Sequence, residues 1–231
     1  MVKDNIIEIR KRISLACSKV DRDPGAITIV AVSKGRTPEQ IKQAVQAGLT
    51  DIGENKVREA LLKHRLLSTV NSELSTIKWH MVGHLQSNKV KEAVEIFDLI
   101  QSVDSLRLAE EIDKQAARIK KIQDILIEVK TSAEESKFGL KPEETIEVIK
   151  EVAKFKNISI KGLMTIAPIM DNPQDARPYF RMLRELKDRI NSLSTVNREL
   201  LTLSMGMTDD FEVAIAEGSN MVRIGRAIFG G

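Results

Sequence analysis

Hydrophobic and polar residues in this chain follow two different periods, one helical and one extended. Residues 4–19 repeat isoleucine, leucine and alanine at helical spacing with charged residues between them, which predicts an amphipathic helix. Residues 27–34 instead form a run of β-branched and small apolar residues that ends in Ser33 and Lys34. Such a run predicts a strand buried on both faces, as in a parallel sheet covered by helices.

The alternation of strand and helix then repeats to the end of the sequence. The predicted strands are residues 27–34, 51–54, 78–83, 97–103, 125–130, 158–165, 200–204 and 221–229. Helix signals lie between them; one is Thr37 followed by Pro38, a capping residue and a proline at the first helical position. Eight strands separated by helices predict parallel pairing and closure into an α/β fold, a single (β/α)8 TIM barrel. An open doubly wound sheet is the alternative, but no GxGxxG follows the first strand.

The N-terminal helix is additional to this repeat. The sequence ends right after the eighth predicted strand, so we expect residues 4–19 to fill the place of an eighth outer helix. No linker or low-complexity segment interrupts the alternation. We therefore predict a single domain over residues 1–231.

Composition narrows the classes of function. The net charge of +3 comes from 36 basic and 33 acidic residues, and only 3% of residues are aromatic, which disfavours a nucleic-acid surface. No apolar run is long enough to span a membrane, and the N-terminus is charged from Lys3 onward. A single cysteine, Cys17, excludes an internal disulfide and fits a reducing compartment. We expect a cytoplasmic monomer with no nucleic-acid or membrane partner.

The candidate chemistry lies at the carboxyl ends of the predicted strands, where barrels place their sites. Lys34 ends the first strand, and lysine is seldom buried without a reason. Loops after strands seven and eight commonly bind phosphate, and here they contain Ser204, Met205 and Gly206, then Gly225 and Arg226. Three scattered histidines give no metal site.

Lys34 is also expected to have cationic neighbours, namely Arg36, Lys56, Arg58 and Arg223. Burial and nearby cations both disfavour the charged form of a lysine, and a neutral amine is what a Schiff-base nucleophile requires. A lysine nucleophile and a phosphate site in one barrel indicate pyridoxal phosphate, or a Schiff-base aldolase acting on a phosphorylated sugar. The residues alone leave both possibilities open.

Longer motifs resemble a known family. The segments AVSK (residues 31–34), GEN (53–55), WHMVGHLQSNK (79–89), SMGMTDDFE (204–212) and VRIGRAIFG (222–230) resemble the YggS/PROSC family of pyridoxal phosphate homeostasis proteins. That family is related to the barrel domain of alanine racemase. The resemblance covers the chain from its first strand to its end.

The resemblance implies a fold-type III pyridoxal phosphate barrel and assigns roles to several residues. Lys34 matches the Schiff-base lysine, Asn55 the residue beside the cofactor ring, and Arg223 the arginine that faces the pyridine nitrogen. Ser204 matches a phosphate-binding serine with Met205 close by, and Gly225 and Arg226 match backbone contacts to the phosphate. His80 is expected in the barrel core, within reach of the cofactor. His84 and Lys137 follow strands three and five, and we expect Lys137 to face the same end of the barrel.

Three functions follow from this reading. The first is a non-catalytic protein that holds pyridoxal 5'-phosphate on Lys34 for intracellular buffering or delivery, with apo-forms of pyridoxal phosphate enzymes as partners. The second is an enzyme like alanine racemase, and the third is the Schiff-base aldolase. Racemisation needs a second base, and the only tyrosine, Tyr179, follows strand six. An arginine facing the pyridine nitrogen keeps it unprotonated and weakens the ring as an electron sink. We therefore predict the non-catalytic binder.

Overall fold

Eight parallel strands close into a barrel in chain order. The computed structural model describes residues 1–68, 76–132, 134, 138–193 and 199–230. Each strand pairs with the next along the chain, and the eighth pairs with the first. The strands are β1 (Thr28–Val32), β2 (Asp51–Glu54), β3 (Lys78–Met81), β4 (Leu99–Val103), β5 (Gln123–Glu128), β6 (Ile158–Met164), β7 (Thr202–Ser204) and β8 (Met221–Ile224). The predicted fold and its eight strands are confirmed.

Helices form the outer ring of this barrel. They are α1 (Val2–Ser18), α2 (Pro38–Gln46), α3 (Val57–Ser68), α4 (Val90–Ile96), α5 (Leu106–Arg118), α6 (Pro142–Val152), α7 (Arg177–Ser192), α8 (Phe211–Ala216) and α9 (Arg226–Phe229). Short 3-10 turns precede β1, α4 and α7. As expected from the sequence, α1 completes the ring, because it packs against α2, α8 and α9. No helix in the described part of the chain is long and apolar enough to cross a membrane.

The end of the eighth repeat differs from the prediction. The strand expected over residues 221–229 stops at Ile224, and α9 follows it. Gly225 is the N-cap of this helix, and the backbone N–H groups of Ile228 and Phe229 both donate to its carbonyl oxygen at 3.0 Å, a bonding pattern that an extended strand cannot form. A helical turn buries both of them, and Asn5 of α1 donates its side-chain amide to Ile228 O at 2.9 Å.

Two separate apolar layers lie on the two faces of the barrel wall. One fills the lumen and contains Val30, Val82, Leu99, Leu126, Met164 and Met221. The other lies between the strands and the outer helices, and it includes Ala31 and Ile52. Val30 and Ala31 therefore face opposite sides of β1, as the pleat of a strand requires. This alternation decides which polar side chains enter the lumen and which point toward the helices.

Close packing of β6 against β7 supplies a test of the fold. A Cβ at Gly162 would lie 1.9 Å from the carbonyl oxygen of Thr202, which is backbone and cannot move aside. We expect Gly162→Ala to lower the free energy of unfolding by about 3 kcal/mol or more, in the upper range for overpacking. Gly25→Ala is the control, because its Cβ would meet only the side chain of Asp23. Denaturant unfolding measures both, and equal midpoints for the two variants would contradict the packing described.

Candidate functional site

The predicted site residues collect on consecutive strands of the barrel. Ser204 ends β7, Arg223 lies in β8, Lys34 follows β1, Asn55 follows β2, and His80 lies in β3. Because β7, β8, β1, β2 and β3 are neighbours in the closed sheet, all five come to one side of the barrel. The fold thus brings together residues that are as far apart as 189 positions in sequence, Lys34 and Arg223.

Lys34 lies in a turn two residues beyond the end of β1, and its side chain is exposed. It forms no hydrogen bond or ion pair with the described residues. The expected burial of this lysine is therefore wrong. The reason is the turn itself, which Gly35 makes with a φ of +69°, and which lifts Lys34 out of the sheet. The expected cationic neighbour Arg36 donates to the carbonyl oxygen of Gly230.

A chain of hydrogen bonds crosses the lumen, and we call its members Asp51, His80, Gln101, Ser204 and Arg223 the lumen relay. Arg223 Nη1 lies 2.6 Å from Ser204 Oγ, and Ser204 Oγ lies 2.6 Å from Gln101 Oε1. Gln101 Nε2 lies 2.9 Å from His80 Nδ1, and His80 Nε2 lies 3.0 Å from Asp51 Oδ1. A cation at one end of the relay is thus connected to a carboxylate at the other.

The donors of the lumen relay all point the same way. A guanidinium can only donate, so Ser204 Oγ accepts from Arg223 and its own hydroxyl proton goes to Gln101 Oε1. The Gln101 amide nitrogen then donates to His80 Nδ1, which assigns the proton of the imidazole to Nε2 and directs it at Asp51. Burial raises the pKa of Asp51, but the hydrogen bonds from His80 and Thr50 outweigh it and hold the pKa below its usual value. Asp51 is therefore the anionic end of the relay.

Arg223 is almost fully buried, with 4% of its surface exposed. Nη1 also donates to Ser204 O, and Nη2 donates to Thr165 O, each at 2.7 Å. Burial lowers the pKa of Arg223 to about 10, with Glu128 and Asp210 acting in the opposite direction. The guanidinium is therefore positively charged at neutral pH, and dipoles rather than a directly bonded carboxylate surround it.

The two loops expected to bind phosphate meet at the mouth of the barrel. Arg226 forms an ion pair with Asp209, which joins the loop after β8 to the loop after β7. Gly206 adopts a φ of +93°, and a Cβ there would lie 2.5 Å from that of Ala214, so only glycine fits this turn. The backbone N–H groups of Arg226 and Ala227, in the first turn of α9, have no hydrogen-bond partner among the described residues. These two groups are open to an anion.

Two residues of these loops turn their side chains away from the mouth. The Ser204 hydroxyl is buried and is committed to Gln101 and Arg223 in the lumen relay. The Met205 side chain is buried in the apolar layer between barrel and helices. Met205 can therefore contribute only its backbone atoms to the mouth. Asn55 is half-buried, its side chain has no hydrogen-bond partner among the described residues, and Gly83 packs directly on its backbone.

Further polar residues surround the mouth. His84 stacks on Phe138 with 3.7 Å between ring centroids, and its Nδ1 lies 3.1 Å from Asp104 Oδ2. Lys137 lies outside the described residues. In the part of the chain that is described, no group of three or more histidine, cysteine, aspartate or glutamate side chains is arranged to hold a metal ion.

Comparisons with known proteins identify the family to which the chain belongs. The sequence profile of a family described as "Alanine racemase, N-terminal domain" matches residues 8–231. A curated relative from Aquifex aeolicus named "Pyridoxal phosphate homeostasis protein" is 41% identical over 227 residues, which cover 98% of this chain and 96% of the relative. The chain belongs to the family of pyridoxal phosphate homeostasis proteins.

Solved structures of other proteins share the fold of this chain. PipY of Synechococcus elongatus, whose structure is solved with pyridoxal phosphate bound, matches with a TM-score of 0.87 at 30% identity over the full length of both chains. An alanine racemase of Clostridium difficile matches all of this chain and 56% of its own, with a TM-score of 0.75 at 14% identity. The second similarity shows the fold alone.

Sequence reasoning missed several polar residues of the barrel lumen. Asp51 and Gln101, which complete the lumen relay, were not singled out, and neither was Glu128 near Arg223. The signal for Glu128 is an acidic residue inside the otherwise apolar run Ile125-Leu126-Ile127 to Val129. Burial, and to a smaller extent the Asp104 carboxylate, raise the pKa of Glu128, Arg223 lowers it, and the net value is about 7.

The lumen relay predicts that substitution of two buried glutamines lowers the stability of the protein by different amounts. Gln101→Met keeps the volume but leaves the Ser204 hydroxyl proton without an acceptor and His80 Nδ1 without a donor, each an expected cost of about 1–3 kcal/mol. Gln115→Met is the control, because Gln115 bonds to Glu111 and Arg118 on the same helix, where water can replace it. Denaturant unfolding should place Gln101→Met well below Gln115→Met in stability; a smaller loss for Gln101 would contradict the relay.

The raised pKa of Glu128 predicts a pH effect on the cofactor-free protein. The pKa of about 7 lies above the ordinary value of 4.5, so the folded state favours the protonated carboxyl. The stabilisation of the folded state is therefore complete below pH 4.5 and is lost as the pH rises through 7. Glu128→Gln should therefore match the parent at pH 4 and be more stable at pH 8, by at most about 3 kcal/mol.

Glu217 is the matched control, because its pKa is shifted in the opposite direction. Burial raises its pKa, but hydrogen bonds from Arg177 and Arg181 outweigh burial and bring the pKa below the usual value. Its contribution is therefore present above pH 4.5 and lost as the pH falls. Glu217→Gln should destabilise at pH 8 and less so at pH 4. Thermal unfolding against pH measures both variants, and destabilisation of Glu128→Gln at pH 8 would refute the assignment.

Proposed function

We propose that this chain binds pyridoxal 5'-phosphate at the barrel mouth through a Schiff base on Lys34 and holds it for buffering or delivery. The observation that carries the proposal is the amine of Lys34, which is exposed and has no partner among the described residues, in the turn that follows β1, the strand paired with β8. The amine and the aldehyde of the cofactor would form a C=N bond and release one water. Such a bond is reversible, as storage and release require.

The residues present match the chemical groups of this cofactor one by one. Lys34 would take the aldehyde, and the open N–H groups of Arg226 and Ala227 would take the phosphate. Arg223 would lie toward the pyridine nitrogen and Asn55 beside the ring. Ser204 would act through its hold on Arg223, since its hydroxyl is committed inside the barrel. The names of the curated relatives and the PipY structure support the same cofactor.

A non-catalytic role rests on what surrounds Lys34. Bound pyridoxal phosphate supplies an electron sink for charge at the α-carbon of an amino acid, and the positive Arg223 would weaken that sink by opposing protonation of the ring nitrogen. Racemisation also needs a second base opposite the lysine. The only tyrosine of the chain, Tyr179, is packed against the outer apolar layer on α7. We therefore propose a cytoplasmic, single-domain monomer whose partners are apo-forms of pyridoxal phosphate enzymes.

The first test locates the covalent link. Protein incubated with pyridoxal phosphate should absorb visible light, and borohydride reduction should fix the cofactor to the peptide that contains Lys34. Lys34→Ala should abolish the fixed label because no amine is left in this turn. Lys56→Ala is the control, since Lys56 is an exposed lysine just before α3. Recovery of the label on Lys56 or Lys130 would contradict the assignment.

A second measurement separates the binder from an enzyme like alanine racemase. We expect transfer of pyridoxal phosphate from the loaded protein to an apo-enzyme, measured as recovered activity of that enzyme. We expect no rapid deuterium exchange at the α-carbon of L- or D-alanine, because Tyr179, the one tyrosine of the sequence, packs against the outer apolar layer on α7. Rapid exchange that yields both enantiomers would overturn the non-catalytic role and favour a racemase.

A further inference from the structure

A buried cluster of charges lies on the outer side of the barrel wall, behind the turn that carries Lys34. Its members are Glu54 at the end of β2 and Glu59 and Lys63 on α3, and we call these three residues the turn clamp. Lys63 is 5% exposed and Glu54 is fully buried. Lys63 Nζ donates to Glu54 Oε1 at 2.6 Å, to Glu59 Oε1 at 2.7 Å and to the backbone oxygen of Ser33 at 2.5 Å. All three ammonium protons are therefore used.

The turn clamp binds both chain neighbours of Lys34. On one side, Ser33 is held twice, through its backbone oxygen by Lys63 and through its hydroxyl by Glu54 Oε1 at 2.5 Å. On the other side, the backbone N–H of Gly35 donates to Glu59 Oε1 at 2.6 Å. Lys34 lies between these two anchors and is itself uncommitted. The backbone of the turn is thus fixed from behind while the amine stays free.

Stability alone does not account for such a cluster. Buried ion pairs recover little more than the cost of removing their charges from water, and apolar residues often replace them without loss. Burial raises the pKa of Glu54, and the bonds from Lys63 and Ser33 offset this only in part. Its second oxygen, Oε2, has no hydrogen-bond partner in the described part of the chain. For Glu59, burial raises the pKa, but the bonds from Lys63 and Gly35 outweigh it. The clamp therefore retains charges that are costly to bury.

We propose that Glu54, Glu59 and Lys63 are positioning residues that fix the Ser33–Gly35 turn so that the Lys34 amine is presented to an aldehyde at the mouth. This inference rests on the proposed function. A turn that must be ordered only when the ligand arrives loses affinity, because fixing the backbone of one residue costs about 1–2 kcal/mol. With Ser33 and Gly35 released, we expect Schiff-base formation to be at least about tenfold slower or weaker.

The principal variant is Lys63→Met, which keeps most of the side-chain volume and removes all three donors. Lys150→Met is its matched control, because Lys150 forms its ion pair with Glu147 on the surface of α6. We would measure the rate and equilibrium of the visible absorbance change with pyridoxal phosphate and, separately, with pyridoxal, which lacks the phosphate. A defect of the same fold for both ligands is expected, because the clamp acts on the amine end of the site.

A second pair of variants keeps the test decisive if Lys63→Met does not fold. Glu59 is partly exposed, with 29% of its side chain accessible, so its variants remain folded more readily. Glu59→Gln retains an oxygen for the Gly35 N–H, whereas Glu59→Ala retains none. We expect Glu59→Ala to show the larger loss of Schiff-base formation, and faster hydrogen exchange of the Gly35 amide in cofactor-free protein.

The outcomes separate the two proposals. If the parent protein gives no borohydride-stable label on Lys34, the proposed function fails, and this inference fails with it. If the parent is labelled and folded Lys63→Met and Glu59→Ala bind both ligands at the parent's rate and affinity, only the positioning role is overturned. A lower melting temperature with unchanged binding would likewise assign the clamp to stability alone.

Discussion

The barrel is built around a positive charge that forms no direct bond with a carboxylate of the described residues. Arg223 lies in the lumen with its guanidinium bonded to two backbone oxygens and a hydroxyl. Isolated buried charge is costly, and that cost is opposed by these acceptors, by the nearby carboxylates of Glu128 and Asp210, and by the lumen relay, which continues through Gln101 and His80 to Asp51. The identities of lumen residues on five strands therefore depend on one arginine. The polar interior and the apolar layer of Val30, Leu126 and Met164 share the same space.

The barrel wall separates two polar systems with different tasks. Inside, the lumen relay holds Arg223 and Ser204; outside, the turn clamp holds the residues that flank Lys34. Strand β2 serves both, since Asp51 faces the lumen and Glu54 faces α3. Odd and even positions along β1 and β2 are thus assigned to different functions by the pleat alone. A shift of one residue in the pairing of β1 with β2 would exchange the two systems.

The sequence was sufficient to predict the fold because eight apolar runs alternate with eight helical patterns and each signal is local. It was not sufficient where a side chain's role depends on a distant partner. Lys34 was expected to be buried, yet the positive φ of Gly35 places it in an exposed turn. Met205 follows Ser204 directly, yet it faces the outer layer. Lys63 lies in an amphipathic helix where charged residues are normal, and nothing local distinguishes it from Lys56 or Lys78. Its burial follows only from the position of α3 over β2.

The direction of the lumen relay has a consequence for how well defined the interior is. A serine hydroxyl, a glutamine amide and an imidazole can each be reversed, by rotation, by flipping or by a change of tautomer. A row of such groups on its own has two opposite arrangements of nearly the same shape. Arg223 can only donate and Asp51, when ionised, can only accept, so these two ends exclude the reverse arrangement. Arg223 and Asp51 therefore determine which of the two opposite hydrogen-bond directions the relay adopts. As a result, the dipoles at the centre of this barrel have a single orientation.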